Sequence, residues 1–273
     1  MAEEIVEWRD AWKKLIDTSR ISIINKSIAP FDELHTLQND KMLLFEKAIA
    51  LECIGKKEEA RRLYKEASDE KTGLPVEHWR KRAQYFLERL DRGGFLTDDL
   101  NTNQAVYNVQ WDLYFNIHSY AYLDDYIRYL AISSVSRIGT EPAMAIVIFR
   151  TCLEIGLWTY FEKEVNEINI RYKEKQRRNS KDKKKEPKDI GLNDLLDEMN
   201  EKYPIFQSNE YTSYHRIRIA GNDAAHPKRV SEDVMDQVPF KYTNDQLIYI
   251  MNYFNQTMRY LNKRAKHANT IKS

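Results

Sequence analysis

Residues 211–227 read YTSYHRIRIAGNDAAHP. At about 3.6 residues per turn, Ile217, Ala220, Gly221 and Ala224 recur at i, i+3, i+4 and i+7, forming a narrow small or apolar face on which a helix packs. Arg218, Asn222 and His226 follow at four-residue steps along a different side, joined by His215. Pro227 disfavours the α conformation at the residue before it, so the helix is expected to end near His226 and leave that imidazole at a terminus. The same pattern also has an ordinary structural reading. A terminal histidine is stabilised by the helix dipole, an asparagine four residues away can hydrogen-bond, and an arginine on a polar face is commonly just solvated.

Working outward, residues 190–203 are expected to form a shorter amphipathic helix with Leu192, Leu195, Leu196 and Met199 on one face. Ser231 is a candidate N-cap for SEDVMDQV. The segment TNDQLIYIMNYFNQTMRYLNKRAKH gives a long last helix carrying Leu247, Ile250, Met251, Phe254, Met258 and Leu261, expected to fray beyond His267. Upstream, Thr140 is read as an N-cap and Pro142 as first-turn residue of the most hydrophobic helix, AMAIVIFRTCLEIGLWTYFEKEV, expected at the centre of the C-terminal domain. Arg150 and Glu154 stand four apart on it, spaced for a structural ion pair.

Between these helices lies RYKEKQRRNSKDKKKEPK, residues 171–188, with ten Lys or Arg against three Asp or Glu, a net +7 in a chain whose total is +1. It is expected to be a basic extension and loop. The plain reading is a solvated connector. The functional one is a tether for phosphate backbones through Arg177, Arg178, Lys183, Lys184 and Lys185.

In the N-terminal half, Ile5, Trp8, Trp12, Leu15 and Ile16 mark a helix over 3–17, and a loop is expected around Ala29 and Pro30. KMLLFEKAIALECIG and KKEEARRLYKEASDE read as two helices joined at Gly55. Their Ala48, Gly55, Ala60, Tyr64 and Ala67 resemble one tetratricopeptide-like hairpin, with a plain bundle as the alternative. A third helix, VEHWRKRAQYFLERL, ends at Gly93-Gly94. Residues 95–139 mix periods, and one or two helices are expected over roughly 103–117 and 120–137, with His118 a partly buried, satisfied histidine. The expected organisation is therefore all-α: a helical, TPR-like domain 1–94, a helical connector 95–139, and a helical bundle 140–268.

Composition narrows the classes. The chain has 273 residues, 42% hydrophobic and 31% charged, and 43 Lys or Arg balance 42 Asp or Glu, so any attraction to nucleic acid must be local. Cys53 and Cys152 are far apart and lack a metal-ligand pattern, which points to a reducing compartment and no metal or other cofactor. The N-terminus MAEEIVEWRDAWKKL has early acids and no apolar h-region, and the apolar run 143–149 is shorter than the roughly 20 residues of a membrane span. A cytoplasmic protein without a membrane partner is expected.

With those residues in place, 140–265 resembles the HEPN superfamily of small helical bundles, specifically a branch found alone or attached to restriction and other defence proteins. The resemblance rests on RTCLE (Arg150–Glu154), GLNDLLDEM (191–199) and RIAGNDAAH (Arg218–His226) in that order. Catalytic members are metal-independent endoribonucleases in which an Arg, a polar residue and a His, with four to six residues between Arg and His, act in a cleft between two protomers. Carried over, Asn222 matches the polar position and His226 the histidine. Arg218 lies one residue too early, and Gly221 occupies the position directly before the asparagine. The resemblance implies His226 as general acid/base, Asn222 as an orienting group and Arg218 stabilising charge. It also implies a homodimer through this domain.

Three functions remain open: a metal-independent endoribonuclease of a prokaryotic defence or stress system; a catalytically inactive HEPN-like dimer binding RNA, nucleotide or protein; and an adaptor whose protein partner sits on the N-terminal helices.

Overall fold

The computed structural model describes residues 2–34, 41–74, 77–93, 102–179, 186–203, 208–225 and 242–272. Among these residues the chain is all-α, with no strand. Contacts divide it into two compact units, Met1–Ile132 and Ser133–Ser273.

The first unit holds α1 (Ala2–Asn25), α2 (Ala29–Asp32), α3 (Lys41–Cys53), α4 (Lys57–Ser68), α5 (Glu77–Asp91) and α6 (Thr102–Ser119). The unit boundary falls within α7 (Asp125–Arg137). α3 and α4 form an antiparallel hairpin. Ala48, Ala60 and Ala67 are fully buried, and small side chains at such positions let helix backbones approach closely. Gly55 makes the turn at φ +90°, where a Cβ is disfavoured, while the Lys56 N–H caps α3 by donating to the Leu51 carbonyl at 2.9 Å. α1 is longer than expected. The buried stripe of Leu15 and Ile16 continues through Ser19 and Ser22, small polar residues that hydropathy does not mark. Ala29-Pro30 opens the short α2 rather than a loop, with proline tolerated in the first turn.

An aromatic cluster fills this unit: Phe45 meets Tyr64, Trp79 and Phe86 with ring centroids 6.0, 5.8 and 5.4 Å away. Charged groups lie inside it. The Arg82 guanidinium sits 4.0 Å from the Trp79 ring and 3.5 Å from Trp111. Arg128 donates to the Ile16 carbonyl at 3.0 Å. Tyr114 donates to Glu46 Oε1 at 3.0 Å, and His118 Nε2 stands 3.7 Å from Glu46 Oε2. His118 is thus fully buried, not partly so. Burial raises the Glu46 carboxyl to about 7 against the opposing pull of Tyr114, Arg128 and Arg82. Burial and the Arg128 charge lower His118 to about 3. Between those values both groups are neutral, so the contact is an acid–imidazole pair and not a salt bridge.

The second unit is built on α8 (Pro142–Tyr160), followed by α9 (Glu162–Asn179), α10 (Leu192–Lys202), α11 (Ser208–Ala225) and α12 (Asn244–Lys272). Thr140 does not cap α8. Glu141 takes that position, Pro142 opens the helix, and the Thr140 hydroxyl donates to the Arg137 carbonyl instead. The apolar helix also does not run through to residue 165. Phe161 leaves helical geometry at φ −126° and buries its ring beneath the Arg264 guanidinium, 4.8 Å from the centroid. By length and composition α8 is apolar enough to cross a membrane, a test that core helices also pass. Here its Ala145, Ile146, Phe149, Cys152, Leu153 and Leu157 are buried in the unit.

α12 crosses α8 where Gly156 leaves room: a Cβ there would stand 2.5 Å from Leu261 Cδ1. Phe149 and Phe254 stack at 3.8 Å across the same contact. α9 carries the start of the basic run, so 171–179 are helical rather than loop. Glu167/Arg171 and Glu174/Arg178 at i, i+4 favour this. The returning chain is held by Gln176, which exchanges hydrogen bonds with the Lys188 backbone at 3.0 and 3.2 Å, and by Asn169, which accepts from the Ile190 N–H at 3.0 Å.

Candidate functional site

α11 presents four faces. Tyr214 and Ile217, both fully buried, point into the unit. The Ser213 hydroxyl lies 2.8 Å from both Gln256 Oε1 of α12 and the Asn209 carbonyl, two acceptors that share its one proton, which fixes the rotation of the helix about its axis. That rotation brings Gly221 onto α8. A Cβ at 221 would stand 2.7 Å from Arg150 Cδ and closer still to Arg150 Cβ, so only a glycine admits the arginine stem here. Arg150 therefore runs across α11 at the residue preceding Asn222 and one turn beyond Arg218. Its Nη2 is 3.9 Å from Glu154 Oε2, at the outer limit of an ion pair, and both side chains keep solvent access. Such a pair contributes about 0–1 kcal/mol.

The third face is the polar one. Tyr211 donates to Asp197 Oδ1 of α10 at 2.7 Å and stacks its ring against His215, centroids 5.6 Å apart and planes 26° apart. Partial burial, then the charge of Arg218, lower the His215 pKa below the ordinary value, with Asp197 opposing and Arg216 adding to the effect. This imidazole is neutral at neutral pH and able to accept a proton. Arg218, Asn222 and Arg150 continue the face, each half-buried. Arg150 Nε, Arg218 Nε and His215 Nδ1 are enclosed and make no hydrogen bond among the described residues. Enclosed donors without acceptors are costly, by about 1–3 kcal/mol each. The guanidinium ends of Arg150 and Arg218, on half-buried side chains, are the groups of this face whose chemistry suits the acceptor oxygens of a phosphate or carboxylate.

α11 ends at Ala225, one residue before His226. His226 lies outside the described residues, as do Lys183, Lys184, Lys185 and the expected cap Ser231. Arg177 and Arg178 are exposed on the last turn of α9, and Arg177 borders a surface cleft of about 430 Å³ closed by Pro187 and Lys188. No group of three His, Cys, Asp or Glu among the described residues is disposed to hold a metal ion.

Two members of this face carry no signal in the motif. His215 is visible only as the residue one turn before Arg218, and Asp197 comes from another helix, where it reads as a solvated acid of GLNDLLDEM. Comparison of the chain with protein-family models, with curated proteins and with solved structures gave no significant match.

Proposed function

We propose that the second unit is a HEPN-like module that binds RNA through the polar face of α11 and cleaves it without a metal. The observation that carries the reading is the contact of Arg150 with Gly221. The family motif has arginine directly before the polar residue, and here the stem of an arginine from α8 lies against that position across a glycine. Arg150 and Arg218 then take the phosphate oxygens and the charge that grows on the phosphorane. Asn222 orients the phosphate. His226, which follows Ala225 in the sequence, removes the 2′-hydroxyl proton or protonates the 5′ leaving oxygen, and the neutral His215 is a second imidazole on the polar face of α11. The products are a 2′,3′-cyclic phosphate and a 5′-hydroxyl. In this reading two protomers of an intracellular defence or stress protein face each other through this unit, and the α3–α4 hairpin belongs to a TPR-like platform for a protein partner.

A second reading is favoured by the motif itself. With glycine at 221 in place of an arginine, the module binds RNA, nucleotide or a protein and does not cut it.

The test is incubation of the purified chain with labelled single-stranded RNA in EDTA, beside His226→Ala. Cleavage to cyclic phosphate ends that the variant abolishes supports the nuclease. Tight binding without cleavage selects the second reading.

A further inference from the structure

The remaining face of α11 borders a cavity of about 320 Å³ against the first turns of α12. Its wall includes Arg216 and Asp223 from α11, Tyr242, and Tyr249, Ile250 and Tyr253 from α12. Tyr249 and Tyr253 meet edge to face with centroids 4.6 Å apart, and Tyr249 is 46% exposed although it is a large ring. The Arg216 guanidinium stands 6.0 Å from the Tyr249 ring at the exposed side. Asp223 lies close enough to Tyr242 for its charge to raise that phenol, which burial alone already pushes up, to about 12. The cavity therefore combines aromatic faces, an apolar floor, one cation at the rim and one carboxylate acceptor.

We propose that this cavity receives a nucleobase of single-stranded RNA, stacked on Tyr249 with its edge toward Asp223 and its phosphate toward Arg216. The combination is selective for that ligand class. A fatty or aliphatic group would use neither the arginine nor the carboxylate, and a sugar phosphate alone would not use the rings. A planar base uses both, since every base has a π-face and an N–H donor, and the adjoining phosphate uses the arginine. The volume is that of a small-molecule site. The position adds a second contact on the helix that carries Arg218 and Asn222, so one strand laid across α11 reaches both faces. The proposal rests on the reading of this unit as an RNA-binding module and extends it by naming where a base, rather than a phosphate, is held.

The experiment measures anisotropy of a labelled single-stranded RNA titrated with the full chain and with Tyr249→Phe, Tyr249→Leu and Arg218→Gln. Tyr249 is exposed enough for both substitutions there to leave the fold intact, and thermal melts check all three variants. Base stacking predicts roughly 5- to 150-fold weaker binding for Tyr249→Leu and near-native binding for Tyr249→Phe. Native affinity in Tyr249→Leu alongside weakened Arg218→Gln overturns the base pocket and leaves the RNA reading standing. Absence of RNA binding by the unaltered chain overturns both.

Discussion

The aliphatic stem of Arg150 lies against the bare Cα of Gly221, so a packing contact between α8 and α11 also sets a charged side chain beside the residue that precedes Asn222. Packing and chemistry are coupled at this one contact. Gly221→Ala forces the stem aside and is expected to destabilise the chain by about 1–3 kcal/mol, the range for overpacking. Adding Arg150→Ala removes the clash and restores stability, while RNA binding is weaker than native. Chemical denaturation and RNA titration of the two single variants and the double variant check this pair of outcomes, because a merely structural contact would recover both properties together.

Glu46 and His118 give stability a pH dependence with opposite signs. The Glu46 carboxyl rises from 4.5 to about 7 on folding, so its contribution is full below 4.5 and is lost as pH rises through 7, by about 3 kcal/mol in total. His118 falls from 6.5 to about 3, so its contribution is full above 6.5 and is lost as pH falls toward 3. Glu46→Gln is expected to flatten the alkaline limb, raising stability at pH 8 relative to the native chain and leaving the acid limb in place. Urea melts between pH 4 and 8 give the two slopes.

Arg177 and Arg178 sit exposed at the end of α9, with the chain returning past them through the Gln176–Lys188 hydrogen bonds. If they meet RNA, they meet its backbone. Replacing both with Gln is expected to weaken binding about equally for every sequence and to reduce the slope of log affinity against log salt by about 1 for each phosphate that the pair neutralises. An unchanged slope assigns the pair to the solvated surface.

Gly55 turns the α3–α4 hairpin at φ +90° with open space around the position of a Cβ. Gly55→Ala is therefore expected to cost about 1–2 kcal/mol through backbone strain alone. A thermal melt checks it, and Gly55→Asn, which tolerates the left-handed region better, should lose less.

The apolar periodicity of Leu195, Leu196 and Met199, of Phe254 and Met258, and of Ala60, Tyr64 and Ala67 sufficed to place helices, because each of these side chains is buried on one face. Boundaries depended on less visible physics. Ser19 and Ser22 extend the buried stripe of α1 without adding hydropathy, Phe161 breaks an otherwise continuous helical pattern by turning into the core, and Glu141 displaces the better capping residue beside it. The polar face of α11 followed from four-residue steps along one helix. Arg150 was legible as a charge on an apolar helix but not as a neighbour of Gly221, since sequence spacing on one helix carries no information about which residue of another helix crosses it. Asp197 escaped notice for the same reason.

The most direct test of the central claim, that RNA phosphate is held where Arg150 crosses α11, is the affinity of single-stranded RNA for the native chain and for Arg150→Gln/Arg218→Gln at low and moderate salt. The account predicts tight, salt-sensitive binding by the native chain and at least a tenfold loss in the double variant, with melting unchanged. Equal affinity of the two proteins, or no RNA binding by either, would contradict it.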